Sequence, residues 1–265
     1  MELIDTHCHL DCPEFDPDRA AVLGRARAAG VAGLVIPAIQ RAGWEGLLAL
    51  CETAADLYPA LGLHPVYLDG HRDSDLPALE RAIADGRPVA LGEIGLDYFV
   101  RDLDRERQQR LFEAQLVIAR AADLPVLLHV RRAHAQVLAT LRRIPVRGGI
   151  VHAFSGGIEE ARRYRDLGFV LGLGGMLTFE RSTKLRALAA ALPSESIVLE
   201  TDAPDLTVAA HHGERNSPEY LPDVLAALSQ VRGEDAGWLA ERTSATARAV
   251  LGLPQPPSAA VSEAA

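Results

Sequence analysis

The amino-acid sequence predicts an α/β protein built as a (β/α)8 barrel. Short apolar runs rich in valine, isoleucine and leucine recur eight times along the 265 residues. Between them lie stretches in which apolar residues recur with helical spacing. Strands that are apolar throughout and alternate with amphipathic helices are typical of a parallel sheet buried on both faces. Eight such units in about 250 residues are the size of a (β/α)8, or TIM, barrel.

The predicted strands begin at the amino terminus and continue to about residue 202. They are the runs 3–9, 33–37, 61–64, 89–93, 125–129, 149–152, 169–173 and 197–202. Helical spacing is clearest in residues 104–122 and 217–231. No glycine-serine linker divides the chain, so we expect one domain over residues 1–253. Residues 254–265 are rich in proline, serine and alanine, cannot build a core, and are predicted to be a disordered tail.

Two histidines, His7 and His9, lie one residue apart at the end of the first run. Side chains alternate between the two faces of a strand, so these imidazoles share one face while Cys8 points away. Two imidazoles on one face can chelate a divalent ion. The pair alone is weak evidence, because two histidines in a polar turn would give the same pattern.

The other strands end in the same way. Polar residues with metal-binding side chains end six of the eight runs: His7, His9, His64, Glu93, His129, His152 and Asp202. Active sites of (β/α)8 barrels lie at the carboxyl ends of the strands, so we expect these side chains to meet there. Structural histidines would not gather at one end of so many strands. The sequence therefore predicts a metal site, while His71, His134, His211 and His212 are expected to be solvated.

The motifs around these residues resemble the signatures of TatD-type metal-dependent hydrolases, a branch of the amidohydrolase superfamily. In chain order they are Thr6-His7-Cys8-His9-Leu10, Gly62-Leu63-His64-Pro65, Gly92-Glu93-Ile94-Gly95-Leu96-Asp97-Tyr98, His129, His152-Ala153-Phe154-Ser155-Gly156 and Glu200-Thr201-Asp202-Ala203-Pro204. The resemblance runs to about residue 250. In residues 129–134 an arginine, Arg132, replaces the aspartate of the commoner pattern. Together with residues 174–179, this stretch looks more like the YjjV-like branch, and the resemblance assigns no role to Arg132 or His134.

The resemblance implies a centre of two divalent ions, with zinc, manganese or magnesium suited to its nitrogen and oxygen ligands. One ion would be held by His7, His9 and Asp202, the other by His129 and His152, with Glu93 bridging them. Asp202 would also accept the proton of the attacking water. His64 would contact the substrate or the leaving group. The alternative for His64 is a structural role, capping the turn before Pro65.

Two further carboxylates, Asp5 and Glu200, share the strand parity of His7 and Asp202. We expect both to point into the barrel one layer below the metal ligands. Buried carboxylates are costly unless they receive hydrogen bonds or lie near positive charge. We expect them to orient ligand imidazoles, and the alternative is a salt bridge to an arginine.

The charge of the chain limits its partners. The sequence has 27 Lys and Arg against 36 Asp and Glu, a net charge of −9, which does not favour a tight duplex binder. Basic residues near strand ends are Arg131, Arg132, Arg181, Lys184 and Arg215. Each alone is best interpreted as ordinary surface charge. The exception is the pair Arg215-Asn216, predicted to contact substrate.

The location is predicted from cysteine usage and the amino terminus. Cys8, Cys12 and Cys51 form an odd, sparse set that predicts reduced thiols without disulfides. The acidic start of the chain does not resemble a secretory signal, and no apolar stretch approaches ~18 residues. We therefore expect a cytoplasmic protein with no membrane partner, and a monomer is favoured over an oligomer.

Three functions remain open from the sequence. The first is hydrolysis of phosphoester bonds, as an exonuclease-like deoxyribonuclease acting on single-stranded or frayed DNA, a substrate class that the resemblance supplies. The second is hydrolysis of a small ester, amide or phosphoester, since the same site suits all of these. The third is a non-catalytic metal-binding protein. The complete ligand set argues against the third, because a protein without catalysis would not need every ligand.

Overall fold

The computed structural model describes residues 2–255 and contains one sheet of eight parallel strands in the order β1 to β8. The strands are β1 (Leu3–Asp5), β2 (Val31–Pro37), β3 (Leu57–Leu61), β4 (Ala90–Asp97), β5 (Val126–Arg131), β6 (Gly149–Val151), β7 (Phe169–Leu173) and β8 (Ile197–Leu199). The helices are α1 (Arg19–Ala28), α2 (Trp44–Glu52), α3 (Asp75–Gly86), α4 (Arg105–Ala121), α5 (His134–Arg143), α6 (Ile158–Asp166), α7 (Thr183–Ala191), α8 (Leu221–Arg232) and α9 (Ala236–Leu251). The predicted (β/α)8 barrel is confirmed, although β3 shares only Leu61 with the predicted run 61–64, so His64 follows this strand by three residues.

The sheet closes on itself where its first and last strands meet. The amide and the hydroxyl of Thr6, just after β1, both donate to the carbonyl of Leu199 at the end of β8, each at 3.0 Å. The segments that follow these two strands are also joined, because the amide of Asp202 donates to the carbonyl of His7 at 2.8 Å. This seam places the segments that follow β1 and β8 side by side.

One apolar side chain from each strand fills the lower part of the barrel interior. They are Ile4, Val35, Ala60, Ala90, Leu127, Ile150, Val170 and Val198. Helix α9 covers this layer from below with Ala247 and Leu251, and Leu253 completes the cover. Because the amino end is filled and covered, the carboxyl end is the place where polar side chains can enter the interior.

The structure describes the carboxyl-terminal end of the packed region and the three thiols. Leu253 is buried, and Arg248 donates to the carbonyl of Pro254 at 2.8 Å, so the packed region continues one residue into the predicted tail. Residues 256–265 lie outside the described part. The cysteines are all free thiols. Within residues 2–255, the helices are all too short or too polar to cross a bilayer.

Candidate metal centre

The side chains predicted to hold metal come together at the carboxyl end of the barrel. Two follow β1, one lies in β4, one in β5, and one each follows β6 and β8: His7, His9, Glu93, His129, His152 and Asp202. Among the contacts of Glu93 with imidazole nitrogens, the shortest is 3.0 Å to His129 Nδ1 and the longest is 3.9 Å to His152 Nε2. The structure therefore gathers every residue that the sequence singled out as a ligand.

Glu93 lies at the middle of this cluster with its side chain almost fully buried. Its Oε2 is 3.1 Å from His7 Nε2 and 3.6 Å from His9 Nε2, while its Oε1 is 3.0 Å from His129 Nδ1. Burial alone would raise the pKa of this carboxyl, but the imidazoles of His64, His7 and His129 outweigh it and hold the pKa well below its usual value. Glu93 is therefore an anion whose two oxygens face two different groups of histidines.

In their neutral forms, three of the imidazoles direct a lone pair toward the centre, because their other ring nitrogen faces an acceptor. His9 Nδ1 lies 3.2 Å from the carbonyl of Pro37, and His129 Nε2 lies 2.9 Å from Asp97 Oδ2. His152 Nδ1 lies 3.0 Å from Glu200 Oε1. A neutral imidazole carries one proton, and an outward acceptor retains it. The inward nitrogen of each ring is then free to bind a cation.

His64 has the opposite arrangement. Its Nδ1 accepts a hydrogen bond from the amide of Val66 at 3.1 Å, so the proton of the neutral ring lies on Nε2. Nε2 points into the cluster, 3.2 Å from His129 Nδ1 and 3.3 Å from Glu93 Oε1. Burial, the largest influence, lowers the pKa of His64 to about 4, which keeps the ring neutral. His64 thus caps the turn before Pro65, as one of the two roles weighed from the sequence requires, and it also presents an N–H donor to the site.

Asp202 completes the cluster from the β8 side. Its backbone is left-handed, with φ 60°, a conformation that is uncommon outside glycine and that turns the side chain back over the mouth. Its Oδ1 lies 3.6–3.7 Å from the inward nitrogens of His7, His9 and His152. Burial raises the pKa of this carboxyl to about 6 despite those imidazoles.

The donor set fits divalent cations. Three overlapping groups of side chains each have possible ligand atoms within 4.8 Å of one another. They are His7, His9 and Asp202; His7, Glu93 and His152; and His64, Glu93 and His129. His7 Nε2 and His9 Nε2 approach to 3.3 Å, and lone pairs that converge so closely repel unless a proton or a metal cation lies between them. Imidazole nitrogens and carboxylate oxygens without thiolate suit zinc, manganese or magnesium. The residues of this site are arranged to hold metal.

Glu200 lies below the cluster as the sequence predicted. Its Oε1 faces His152 Nδ1 and also accepts from the amide of Ala153 at 2.6 Å. Gly172 on the neighbouring strand gives it room, since a Cβ there would lie 2.1 Å from Glu200 Oε2. The side chain therefore fixes both the orientation of the imidazole and the backbone that follows β6.

Asp5 does not orient a ligand imidazole, as was predicted from its strand parity. It contacts none of the imidazole rings and accepts instead from the backbone amide of His7 at 3.2 Å, and from the amide and hydroxyl of Thr201 at 3.0 and 2.6 Å. The reason is that Leu3, which has the same parity, packs between the sheet and the helices, whereas Ile4 points into the barrel. Asp5 therefore stabilises the seam between β1 and β8, and its burial raises its pKa to about 7.

Arg215 and Asn216 also occupy different places from those predicted. The amide nitrogen of Asn216 donates to the carbonyls of Thr201 and Asp205, and the residue is fully buried, so its contacts do not favour a role in substrate binding. Arg215 forms a bidentate ion pair with Asp18, in which its two terminal nitrogens donate to the two carboxylate oxygens at 2.9 and 2.8 Å. Both residues hold the loop after β8 in place.

Asp97 was quoted in a motif but given no role by the sequence. Its Oδ1 accepts from the amides of Phe99 and Val100, which leaves Oδ2 to hold His129 Nε2. Burial would raise the pKa of Asp97, but His129 and these amides lower it to about 2. The signal was available, since Asp97 lies four residues after Glu93 on the same strand.

Buried amide and imidazole side chains fix the loops around the centre. Gln108 and Gln115 of α4 each bond both backbone groups of one residue, Asp97 and Leu63 respectively. His71, predicted to be solvated, is buried, and the prediction is wrong because its Nε2 donates to the carbonyl of His64 at 2.8 Å. These contacts join segments that are distant in sequence, so no local pattern revealed them.

Comparison with known proteins gives a consistent family. The family described as TatD related DNase matches residues 4–252. The metal-dependent hydrolase YjjV of Escherichia coli K12 is 45% identical over 242 residues, which cover 90% of this chain and 93% of that protein. Its crystal structure superposes with a TM-score of 0.92, covering 95% of this chain and 98% of that one. A protein of Klebsiella pneumoniae named 3'-5' ssDNA/RNA exonuclease TatD is 34% identical over 264 residues, covering 95% and 98% of the two chains.

The substitution Asp97→Asn should weaken metal binding without unfolding the protein. The two backbone amides retain the side-chain oxygen, so the new NH₂ faces His129 Nε2 and forces its proton onto Nδ1, the inward nitrogen. We expect metal affinity to fall about 10–100-fold. Titration of chelated protein measures the affinity, with Asp85→Asn on the exposed side of α3 as the matched control. Unchanged affinity in Asp97→Asn would contradict the assigned tautomer.

Metal uptake should release protons. Although burial opposes it, neighbouring carboxylates raise the pKa of His9 to about 9 and of His152 to about 10, so both rings are protonated at neutral pH before metal binds. Coordination requires the neutral ring, and we expect roughly two protons to leave per chain at about pH 7, with apparent affinity falling as the pH is lowered. Calorimetric titrations in buffers of different ionisation enthalpy count these protons. A binding heat that does not depend on the buffer would contradict this expectation.

Proposed function

The chain belongs to the family of TatD-related DNases, and from this premise we propose that it hydrolyses phosphodiester bonds in a divalent-metal centre, acting on exposed ends of single-stranded DNA. The relative from Klebsiella pneumoniae, whose printed name is that of an exonuclease for single-stranded DNA and RNA working from the 3' end, supports this substrate class. The net charge of −9 supports single strands and frayed ends over a duplex, which a basic groove would have to grip.

The central observation is that the two oxygens of buried Glu93 face two groups of donors. On the Oε2 side are His7 and His9, with Asp202 close to both. On the Oε1 side are His129 at 3.0 Å and the donor His64 at 3.3 Å, with His152 farther away at 3.9 Å. We assign His7, His9 and Asp202 to one ion, His129 and His152 to a second, and Glu93 to both. Ions bound here would supply positive charge for the phosphate oxygens and lower the pKa of an attacking water.

The chain's own groups have separate tasks in the reaction. The oxygen of water forms a bond to phosphorus, the P–O bond to the departing ester oxygen breaks, and the proton of that water passes to Asp202, a carboxylate at the mouth of the site. The departing oxygen takes up a proton from Asp202 and leaves as an alcohol, which restores the carboxylate. The N–H at His64 Nε2 donates a hydrogen bond to a phosphate oxygen, where negative charge grows in the transition state. His64 keeps this proton, because its Nδ1 already accepts from the amide of Val66 and the ring is neutral.

Hydrolysis of end-labelled DNA tests the proposal. Metal-loaded protein is incubated with single-stranded and duplex DNA labelled at either end, and with a panel of small esters. We expect stepwise shortening of single strands and frayed ends, and little attack on blunt duplex. Cleavage that persists in the double variant His7→Ala/His9→Ala, which removes two of the proposed metal ligands, would indicate a contaminating nuclease. If only the small esters are hydrolysed, the second function considered from the sequence replaces this one.

The substitution Asp202→Asn should abolish most turnover while preserving the fold. It keeps the shape and an oxygen but removes the charge and the basicity, and loss of a positioned base costs about 10²–10⁴-fold in rate. At least one ion should remain, held by His129, His152 and Glu93. Turnover, metal content and melting temperature are compared with those of wild type and Asp85→Asn. Near-normal turnover with metal retained would exclude Asp202 as the proton acceptor.

The substitution His64→Ala should lower kcat about 10²–10³-fold, the cost of one donor to a developing oxyanion. Metal content should stay unchanged, because Nε2 carries a proton and is assigned as a donor. His64→Gln, whose amide offers an N–H, should recover part of kcat. Turnover and elemental analysis of both variants provide the check. A loss of metal in His64→Ala would instead make His64 a ligand.

A further inference from the structure

Two arginines beside the metal centre lie over an exposed phenylalanine. The guanidinium carbon of Arg131 is 3.8 Å from the centroid of the Phe99 ring, and that of Arg132 is 4.7 Å from it. Phe99 is 44% exposed, although a large apolar side chain gains by burial. We call Phe99, Arg131 and Arg132 the arginine–phenylalanine cluster. Arg132 stands where the commoner family pattern has an aspartate.

The arginines of this cluster are free of carboxylates. Among residues 2–255, neither side chain forms an ion pair or a hydrogen bond. Many other arginines of this acidic chain are paired, such as Arg27 with Asp56 at 2.6 Å and Arg215 with Asp18 at 2.8 Å. The guanidinium N–H groups of Arg131 and Arg132 are therefore available to an external anion.

The cluster is joined directly to the metal centre. Arg131 follows His129 by two residues on β5 and pairs with Asp97 of β4 in the sheet register. The carboxylate of Asp97 accepts from the amide of Phe99 at 2.8 Å while it holds His129 Nε2 at 2.9 Å. One side chain thus fixes both the imidazole of the centre and the loop that carries the exposed ring.

The backbone of Arg132 supports a functional placement. Its φ is 55°, in the left-handed region, which costs free energy for a residue with a Cβ. Such conformations persist where surrounding structure enforces them, and they concentrate at binding and catalytic sites. Here the turn brings a second guanidinium to 4.7 Å from the centroid of the same ring.

We propose that the arginine–phenylalanine cluster binds one nucleotide of a single strand, next to the bond that is cleaved. The base stacks on the planes of the phenylalanine ring and the guanidinium groups. The unpaired N–H groups of the arginines bind the adjacent phosphates. A duplex cannot present an unstacked base, so the cluster selects single strands. This inference rests on the proposed function of the metal centre and names the feature of the substrate that is recognised beside it.

Binding of a strand that resists hydrolysis tests the cluster separately from catalysis. Fluorescence anisotropy measures the Kd of the metal-loaded full-length protein for a short phosphorothioate oligothymidylate and for an abasic strand of equal length. We expect Phe99→Leu to raise the Kd for oligothymidylate about 5–100-fold, the range for one stacked base. Phe99→Trp should keep the binding, since it retains an aromatic face. A wild type that shortens no DNA but still binds in this way would refute the proposed function and leave the cluster intact.

Arginine variants test the phosphate contacts. Arg131→Gln and Arg132→Gln should each lower the slope of log Kd against log salt by about one. Arg120→Gln, in the last turn of α4 at the opposite end of the barrel, removes the same charge and should change neither Kd nor slope. Three results would overturn the proposal: an unchanged Kd in folded Phe99→Leu, equal weakening for the abasic strand, or no binding of either strand by wild type.

Discussion

The structure depends on one buried carboxylate. Glu93 lies within the barrel among imidazoles, removed from water, and an isolated carboxylate in such a place would neutralise itself by taking up a proton. Surrounding nitrogens prevent this and hold its pKa low. The apolar layer in the lower barrel and helix α9 below it exclude water from the amino end of the barrel. Glu93 is therefore surrounded by protein groups and not by solvent on that side. The imidazoles of the centre all lie within 3.9 Å of one of its two oxygens.

The outer partners of the histidines decide what each ring can do. In the neutral rings, acceptors behind His9, His129 and His152 place the lone pairs inward, whereas the amide behind His64 places a proton inward. The same residue type therefore supplies both metal-binding nitrogens and a hydrogen-bond donor. In the proposed reaction, this division separates the residues that hold the ions from the residue that contacts the phosphate, so we expect changes at His64 and at Asp97 to have different chemical consequences.

The acidic net charge and a nucleic-acid substrate are compatible because the charge is distributed unevenly. Ten of the arginines in residues 2–255 form ion pairs with carboxylates, as in the pairs Arg27–Asp56 and Arg143–Glu113. Beside the centre, Arg131 and Arg132 lie on an aromatic ring instead. A few unpaired guanidiniums next to bound cations can attract the backbone of a single strand without the broad basic surface that a duplex requires.

The sequence by itself determined the barrel and the membership of the centre. Both follow from local patterns: the apolar runs identify the strands, and the residues that end them must meet because parallel strands share one open end. The tertiary structure decided the rest. Asp5 bonds to Thr201 at the seam between β1 and β8, and the side chain of Asp97 contacts His129. Asn216 and His71 are buried, and each is hydrogen-bonded to a backbone carbonyl. The direction of each ring's proton was set by Pro37, Asp97, Glu200 or Val66. Hydrogen-bond partners that lie on separate strands and loops leave no periodic trace in the chain, so only the folded protein reveals them.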